Sequence, residues 1–506
     1  MNKDSEPATV ACFRRSDLRI AFLLFLVAAF TFIYFKHSFN DVNAVVRACL
    51  SLAIVEDGSF AIDRFEHLTI DKSFYNGHYY CDKAPGTSFL AVPFVAAGYC
   101  ELQRQGRSDF SSPDLSTPTI RINDNFEYLL ILASLPISLI CAAAVSGMYL
   151  LAREFGSERK TSLLCALLLG FGTPFGAWAT VLYGHSAAAS LLLLGLTTGV
   201  GTANHGNGFT VRLRRRLWIL TGFLLAYAVL TEYTAAVPAC LIGVFLLGGP
   251  AGVQKGVRAA ASLVGLLAIG VLPVAVLFLF YHATCFGSPF SLGYRFVAGD
   301  FPEMRRGFFG LNIPDLFVLL QTLFSPKHGI LAFSPFMIFS PILAVKNIQE
   351  ARHPGLNMLA LLIAVYYFLL NSSYAYWYAS IIPCRHATAA FPFLVIPFLS
   401  GWNREKRHFR IAVNISMILS LLFSVAALAA PSHVRYEALW ATDHPSIDLV
   451  VELLRGKTAS NLGGYIRPNM SAHLTLIPAC MAWCLFGLLF FTICRQSDET
   501  QKMPEI

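Results

Sequence analysis

Charged residues are scarce in this chain of 506 residues. Asp, Glu, Lys and Arg together make up 13% of it, whereas soluble domains carry about 25%. Hydrophobic residues make up 56% and the mean hydropathy is +0.58. Apolar runs of roughly 20 residues recur along the chain, which is the length that crosses a bilayer. The sequence therefore predicts an all-α polytopic membrane protein, because backbone groups in lipid must bond within their own helix.

Several other signals are absent. The twelve cysteines show no CxxC pair and no Cys/His spacing typical of a metal site. Cys81 and Cys100 flank one candidate extracytoplasmic helix, which makes them a candidate disulfide pair. The sequence has no basic-aromatic repeat, so its net charge of +8 does not indicate nucleic-acid binding. It also shows no internal repeat and no separate soluble domain.

We predict twelve transmembrane spans from the apolar runs. They lie at 20–36, 126–152, 161–181, 186–202, 217–231, 233–248, 259–282, 330–345, 356–370, 387–402, 411–430 and 473–494. The first run has no small-residue cleavage site and precedes many similar runs, so it is not expected to be a cleaved signal peptide. The run at 88–98 is too short for a span and contains Pro93, which favours a juxtamembrane or re-entrant helix.

The charge distribution orients these spans. Segments predicted on one side hold 21 of the 38 Lys and Arg residues and 10 of the 30 Asp and Glu residues. Basic loops remain in the cytoplasm, so both termini are expected to be cytoplasmic, in the inner (plasma) membrane. The extracytoplasmic pieces are then 37–125, 283–329, 371–386 and 431–472, with two tight turns at 183–185 and 231–233.

Asp41 lies about five residues beyond the first predicted span. An ionisable side chain at the membrane boundary is a candidate functional group by default. The apolar run at 44–55 predicts a helix lying along the interface, and Asp is also a preferred N-cap residue. Asp41 is therefore the leading candidate base, with helix capping as a second role that does not exclude the first. Arg47, six residues further on, is not expected on the same helix face.

The motif Tyr80-Cys81-Asp82-Lys83-Ala84-Pro85-Gly86 closes the polar part of the first loop. Pro85 and Gly86 open a short apolar helix, and a helix N-terminus favours anions. Lys83 just before it predicts a phosphate or pyrophosphate contact. The alternative is that Lys83 extends to lipid headgroups. Asp82 and Tyr80 are candidate substrate-binding residues.

Three later outer segments carry further candidates. His185 and Glu232 each occupy a tight turn, and Glu232 is costly near lipid unless it is paired or hydrated. Lys327 and His328 precede a span from the outside, against the basic-inside trend. Either a substrate lipid phosphate or ordinary headgroups would explain Lys327.

The segment Tyr374-Ala375-Tyr376-Trp377-Tyr378 is followed by Arg385 and His386. Tyr376 and Trp377 suit stacking on a sugar ring, or else an interfacial aromatic belt. Arg385 offers a bidentate contact to phosphate, and His386 is a candidate substrate-binding residue.

In series, these features resemble the GT-C superfamily of polyprenyl-phosphate-sugar-dependent glycosyltransferases. The likeness is greatest to the protein O-mannosyltransferase-like and lipid A aminoarabinose transferase-like members. Asp41 stands where that family has an acidic residue after its first span, and Asp82-Lys83-Ala84-Pro85-Gly86 resembles its "Lys-Pro-Pro-Leu"-like motif. Other similar stretches are Gly222 to Tyr233, Phe286-Gly287-Ser288-Pro289, Phe324-Ser325-Pro326-Lys327-His328-Gly329 and Pro383-Cys384-Arg385-His386. Many members carry an adjacent acidic pair in the first loop, or a large C-terminal soluble domain, and this chain has neither.

The resemblance implies a GT-C-like bundle of about twelve helices whose large first extracytoplasmic loop, 37–125, contains juxtamembrane helices. Residues 1–400 would form the catalytic module, and residues 401–506 the C-terminal helices with a small loop at 431–472. The expected activity is that of a hexosyl- or pentosyltransferase. It would transfer sugar from a polyprenyl-phosphate donor to a lipid, polysaccharide or protein acceptor at the extracytoplasmic face.

In this hypothesis Asp41 takes the acceptor proton, while Lys83, Arg385 and Lys327 contact the donor phosphate. No cofactor is certain, although Asp41 could instead hold a divalent metal through oxygen. The expected partners are the donor, the acceptor and membrane lipids, with no nucleic acid. One alternative is a lipid or solute transporter, which predicts ionisable groups near mid-span and repeat symmetry. Another is a polysaccharide polymerase or ligase with a dominant late outer loop.

Overall fold

The computed structural model describes residues 15–36, 41–111, 122–205, 208–249, 251–299, 301–305, 307–378, 385–430, 443–466 and 471–502. Pro383 and Cys384 of the predicted motif, and residues 431–442 and 467–470 of the predicted outer loop 431–472, lie outside the described residues.

The described chain is mostly helical. Its α-helices are α1 Arg15–Tyr34, α2 Val42–Asp57, α3 Gly86–Arg104, α4 Asp124–Glu154, α5 Arg159–Phe171, α6 Phe175–Trp178, α7 Gly184–Asn204, α8 Val211–Thr231, α9 Ala236–Gly248, α10 Val257–Phe286, α11 Leu316–Phe324, α12 Ile330–Phe333, α13 Phe339–Gln349, α14 Pro354–Ser373, α15 Phe391–Val395, α16 Arg407–Ala429, α17 Pro445–Leu454, α18 Leu462–Ile466, α19 Ala472–Thr475 and α20 Ile477–Lys502. Short 3-10 helices occur at Asp63–Leu68, Tyr233–Ala235, Val253–Lys255, Gly293–Phe296, Pro302–Arg305, Pro335–Ile338, Arg385–Ala390, Ile396–Ser400 and Trp402–Arg404. Two strands, β1 Ser73–Tyr75 and β2 His78–Tyr80, form an antiparallel hairpin.

Eight helical segments in the described part are long and apolar enough to cross a membrane, so the chain is an integral membrane protein. They are Arg15–Tyr34, Asp124–Glu154, Gly184–Asn204, Tyr233–Lys255, Val257–Phe286, Pro354–Ser373, Arg407–Ala429 and His473–Ile493.

At the other four predicted spans, the structure differs from the prediction, and each difference has an identifiable cause. The span at 161–181 stops at Phe171, where Gly172 and Pro174 follow, and the span at 330–345 is divided at Ser334 and Pro335. The span at 387–402 is a series of short turns containing Pro392 and Pro397. Proline removes a backbone donor and clashes with the preceding turn, so an apolar run alone does not ensure one helix. The fourth, α8, is continuous but carries four arginines near its start.

Polar contacts show which helix ends share a face. Arg159 at the start of α5 bonds Asp17 in α1 at 3.1 Å, and His205 after α7 bonds Glu154 at the end of α4 at 2.8 Å. Lys346 near the end of α13 pairs with Glu405. These ends, together with the arginine-rich start of α8, form what we call the basic face. The starts of α4 and α7 and the end of α8 lie opposite, on what we call the cavity face.

Helix α3 extends further than predicted but has both ends on the cavity face. At its start, a Cβ atom on Gly86 would lie 2.7 Å from the backbone of Leu230 at the end of α8. Beyond its end, the carbonyl of Asp109 accepts hydrogen bonds from Asn123 and Asn125 at the start of α4. Helix α3 therefore does not cross from one face to the other.

Helix α2 differs from the prediction of an interfacial helix, because every residue from 44 to 53 is buried. The segment lies inside the protein layer on the cavity face. Cys81 is buried, Cys100 is exposed, and neither is in a disulfide.

The hairpin β1–β2 delivers the predicted phosphate motif to this layer. Asn76 and Gly77 form its turn with φ of 51° and 88°, a combination that favours Asn-Gly in two-residue hairpins. The chain leaving β2 carries Cys81, Asp82 and Lys83 directly to the start of α3.

Helices α8 and α10 cross closely at Gly222 of α8 and Gly270 of α10, which gives a stability prediction. A Cβ atom on Gly270 would overlap the carbonyl oxygen of Ile219, whereas one on Gly265, in the same helix, would meet nothing within 4 Å. We expect Gly270→Ala to force the helices apart and cost about 1–3 kcal/mol of unfolding free energy, as overpacking does. Gly265→Ala should be neutral or slightly stabilising, because alanine favours helix. Thermal unfolding of both variants in detergent tests this, and equal stability would contradict the close crossing.

Candidate active site

A cavity of about 520 Å³ opens within the cavity face. Its walls come from the start of α2, the loop before α3, the start of α7, the end of α8, and three later segments. The predicted site residues that line it are Asp41, Asp82, Lys83, His185, Glu232, Tyr376, Arg385 and His386. The structure thus brings together side chains from six separate stretches of the chain.

Asp41 both caps α2 and faces the cavity. Its backbone is extended, with φ −109° and ψ 130°, and its carboxylate accepts a hydrogen bond from the Asn43 N–H at 2.8 Å. Capping, one of the two roles considered from the sequence, is therefore confirmed, and the same residue lines the cavity. Burial raises the pKa of the neighbouring Tyr183 hydroxyl, as do the charge of Asp41 and a hydrogen bond to it.

Lys83 is held between two carboxylates. Its ammonium lies 2.9 Å from Asp71 and 2.6 Å from Asp82. Burial lowers the pKa of Lys83, but the two carboxylates outweigh this and raise it well above its usual value. Lys83 therefore carries its charge at every physiological pH.

Asp82 and Asp71 are two carboxylates that share the single positive charge of Lys83. Burial and the nearby charge of Asp71 raise the pKa of Asp82 to about 7. Its Oδ2 faces Lys83, while its Oδ1 is buried and has no hydrogen-bond partner among the residues that the structure describes. A buried oxygen without a partner is costly, so this atom is a candidate for contact with a bound ligand.

His185 and Glu232 form the next pair, with 3.1 Å between His185 Nδ1 and a Glu232 carboxylate oxygen. Gly184 makes the approach possible, because a Cβ atom there would overlap the Thr231 carbonyl and lie 3.0 Å from Glu232. The two turns predicted separately from the sequence are thus in direct contact. The His185 ring also packs against His386, with 5.0 Å between ring centroids.

Arg385 differs from Lys83 in its partners. No carboxylate among the described residues lies within ion-pairing distance of its guanidinium, and its Nε contacts His386 Nε2 at 3.1 Å. Burial lowers the pKa of Arg385, but Tyr183 and Asp41 outweigh this and raise it. Burial, followed by the charge of Arg385, holds the pKa of His386 well below its usual value. His386 is accordingly neutral beside a permanent cation.

Sequence reasoning missed several cavity residues, of which Arg47 and Asp71 matter most. Arg47 lines the cavity together with Asp41, because Asp41 is the cap and not part of the helix. The Arg47 guanidinium bonds Asn43, the Ala84 carbonyl and Thr87, so it ties α2 to the start of α3. The signal for it was the i, i+4 spacing from Asn43. Asp71 lies in no recognisable motif.

Aromatic residues of the later segments complete the wall. Tyr294 lies beside Lys83, with 5.8 Å from the ammonium to the ring centroid. The Tyr376 hydroxyl donates to Glu303 at 2.8 Å, and Tyr374 packs on His386 with 4.5 Å between ring centroids.

Three predicted site residues do not line the cavity. Tyr80 packs against Phe286, with 5.6 Å between ring centroids, and Trp377 packs against His328 at 5.4 Å. Lys327 follows the end of α11, where its backbone N–H donates to Ser325. The described residues contain no group of three or more His, Cys, Asp or Glu side chains arranged to hold a metal ion.

No protein-family model matches the chain, and no curated protein matches its sequence. Several solved structures are similar. One is ArnT from Cupriavidus metallidurans bound to undecaprenyl phosphate, at 15% identity, covering 94% of this chain and 75% of that one, with a TM-score of 0.48. Another is the oligosaccharyltransferase AglB from Archaeoglobus fulgidus with an inhibitory peptide and a dolichol-phosphate, at 12% identity, covering 90% and 58%, with a TM-score of 0.47.

A further Archaeoglobus fulgidus oligosaccharyltransferase structure, tethered with an acceptor peptide, matches at 14% identity over 89% of this chain and 56% of that one, with a TM-score of 0.48. The chain thus spans just over half the length of the archaeal enzyme. With identities this low and TM-scores below 0.5, the similarity assigns neither an activity nor a substrate to this chain.

Proposed function

We propose that this protein is a glycosyltransferase that moves a hexosyl or pentosyl group from a polyprenyl-phosphate donor to a lipid, polysaccharide or protein hydroxyl. The observation that carries the proposal is that Asp41, Lys83 and Arg385 line one cavity, although they come from distant parts of the chain. Glycosyl transfer requires a proton acceptor and a cation near the leaving phosphate. The motif resemblance to GT-C transferases supplies the donor class.

The reaction assigns a task to each group. The acceptor oxygen bonds to the anomeric carbon and gives its proton to the Asp41 carboxylate. The bond between the anomeric carbon and the phosphate oxygen breaks, and its electron pair leaves with the lipid phosphate. A general base contributes typically 10²–10⁴-fold, and preorganised cations at the developing charge contribute comparably.

Lys83 and Arg385 differ in their ion pairs, and this difference assigns them different roles. The positive charge of Lys83 is already balanced by the carboxylates of Asp71 and Asp82. Lys83 therefore offers a bound phosphate little net positive charge. Arg385 faces the cavity without such a carboxylate and presents a planar fork that suits phosphate oxygens. We therefore assign the principal phosphate contact to Arg385, with Lys83 organising the wall beside it. Lys327 does not line the cavity and has no part in this assignment.

The remaining cavity residues suit a sugar. His185, Glu232 and His386 offer hydrogen bonds, and Tyr374 and Tyr376 offer aromatic faces and edges. The arginine-rich basic face would be cytoplasmic under the positive-inside rule. The cavity would then open on the extracytoplasmic side of the inner membrane, where lipid-linked sugars meet their acceptors.

The test uses the purified protein in lipid nanodiscs with sugar-labelled polyprenyl-phosphate donors. A transferase releases the lipid phosphate and passes the label to water or to an added acceptor. A transporter, the main alternative, would leave the donor intact while moving it between leaflets. Intact donor after prolonged incubation with a panel of hexosyl and pentosyl donors and mixed acceptors would refute the proposal.

The raised pKa of Asp82 gives a pH prediction. Asp82 holds a proton below about pH 7 and releases it above, so the cavity becomes more negative as pH rises. The donor is a phosphodiester, which does not titrate near neutrality. We expect its KM to rise roughly fivefold or more between about pH 6 and pH 8, the low end for couplings between sites.

The variant Asp82→Asn should remove that rise, giving a low KM that does not change with pH. Asp63→Asn provides a control, because Asp63 bonds His78 outside the cavity. KM values for the three proteins at several pH values decide the matter. A pH dependence that persists in Asp82→Asn would assign the titration to another group.

A further inference from the structure

Helix α11 carries its large apolar side chains on its outer side. The exposed residues are Ile313, just before the helix, and Leu316, Phe317, Leu320 and Phe324 within it, at 48–89% exposure. Spacings of three and four residues place them on one face. The opposite face holds Thr322, which is buried and accepts a hydrogen bond from Asn371. This is the reverse of a helix that packs its apolar face into a protein core.

Helix α11 lies across the end of α14. The N–H of Asp315, its N-cap, donates to the carbonyl of Ser372, and Thr322, seven residues later, bonds Asn371. Contacts separated by two turns of α11 therefore meet neighbouring positions of α14. Because α14 is a membrane-spanning segment, α11 must run close to the membrane plane. With nine residues it is about 13 Å long, too short to span.

The exposed face of α11 continues the lipid-facing surface of α14. The outward residues of α14 are Met358, Leu362, Val365 and Leu369, each 41–52% exposed. That row ends at Leu369, two or three positions before the level at which α11 crosses. The apolar stripe of α11 therefore lies at the boundary of the surface that the bilayer covers.

We infer that α11 is an interfacial helix whose apolar stripe inserts into the outer edge of the acyl-chain region, so that its partner is membrane lipid. Lys327, three residues past its end, then lies at headgroup depth, which explains a basic residue on this face. The inference does not depend on the proposed activity.

Insertion of α11 also fixes one wall of the cavity. Phe308, Phe309 and Leu311, in the segment before it, line the cavity. Gly310 in the same segment accepts a hydrogen bond from the Ala375 N–H. Asn312 then bonds the Ser373 carbonyl at 2.8 Å. A helix held in the lipid interface thus holds that cavity wall at the depth of lipid phosphates.

A nitroxide scan of the full-length protein in phospholipid vesicles tests the inference. Each residue from 316 to 324 is replaced in turn by spin-labelled cysteine. The background lacks the exposed cysteines of the described residues and the three cysteines whose side chains the structure does not describe, namely Cys100, Cys240, Cys480, Cys484, Cys12, Cys384 and Cys494. Collisions with oxygen, which enters lipid, are compared with collisions with a water-soluble nickel complex. Labels at Leu362 and Leu369 of α14 calibrate depth within the same protein.

The expected result is a high oxygen-to-nickel ratio at 316, 317, 320 and 324, matching the label at 369 and lower than that at 362. Labels at 319 and 323 should be less accessible to both reagents. Nickel exceeding oxygen along the stripe would place the helix in water and overturn the inference. Exclusion of both reagents from the stripe would show a protein partner or second copy instead, and would equally overturn it.

Discussion

Asp41→Asn is expected to reduce turnover by at least about a hundredfold, the low end for loss of a general base, while the protein keeps its fold. The amide has almost the same size as the carboxylate and caps helices about as well. It can still accept the hydrogen bond from the Asn43 N–H, but it cannot take a proton from the acceptor. Turnover at saturating donor, measured beside thermal stability, separates the two roles of this residue.

Two further variants make the result specific. Asp41→Glu keeps the carboxylate but moves it by a methylene, so partial activity is expected. Asp315→Asn is the matched control, because Asp315 also caps a helix, bonding the N–H groups of Phe317 and Val318 without lining the cavity. It should leave turnover within about twofold, consistent with the small effects typical of surface substitutions.

The opposite order of activities would exclude Asp41 as the base. If capping were its only role, Asn would be tolerated and Glu would be the poorer residue. A stable Asp41→Asn protein with normal turnover would therefore transfer the assignment to another acid of the cavity. Asp82 would come first, because its unpartnered Oδ1 and raised pKa suit proton transfer.

Many site residues were predictable because a membrane protein restricts where charge can lie. Asp41, Lys83, His185, Glu232 and Arg385 each follow or precede an apolar run, and such positions are at helix ends. Once the basic loops fix one face, those helix ends fall on the other. The sequence did not place Lys83 against Asp71, because that contact depends on how the β1–β2 hairpin folds back.

The errors in the spans have local physical causes. Apolar composition predicted continuous helices at 161–181 and 330–345, but Pro174 and Pro335 interrupt them where the surrounding helices cover the broken turns. For Arg47, the error was to treat Asp41 as part of the helix. Because Asp41 is the extended N-cap residue, the rotation per residue of an α-helix does not apply to it. The Asp41 and Arg47 side chains therefore both line the cavity. Tyr80 and Trp377 do not line the cavity, because motif membership does not fix which face of a segment meets it.

Arg385→Ala should have the second large effect, a loss of about 1.5–3 kcal/mol for a charge-assisted contact, or roughly tenfold to a hundredfold in kcat/KM for the donor. The reason is that Arg385 has no carboxylate partner in the described structure, whereas Lys83 has two. The third cation of the lining, Arg47, already bonds Asn43, the Ala84 carbonyl and Thr87. Arg385→Lys keeps the charge and loses the planar fork, so intermediate activity is expected. Added guanidinium should partly restore Arg385→Ala.

Lys327→Ala is the matched control for this prediction. Lys327 is also a basic residue in a motif that resembles the transferase family, yet it lies outside the cavity lining. It should change kcat/KM by less than about twofold, within the range of substitutions away from special features. If Lys327→Ala lost as much activity as Arg385→Ala, the donor phosphate would have to reach the end of α11. The cavity around Arg385 would then serve the acceptor, because one phosphate cannot contact both positions at once.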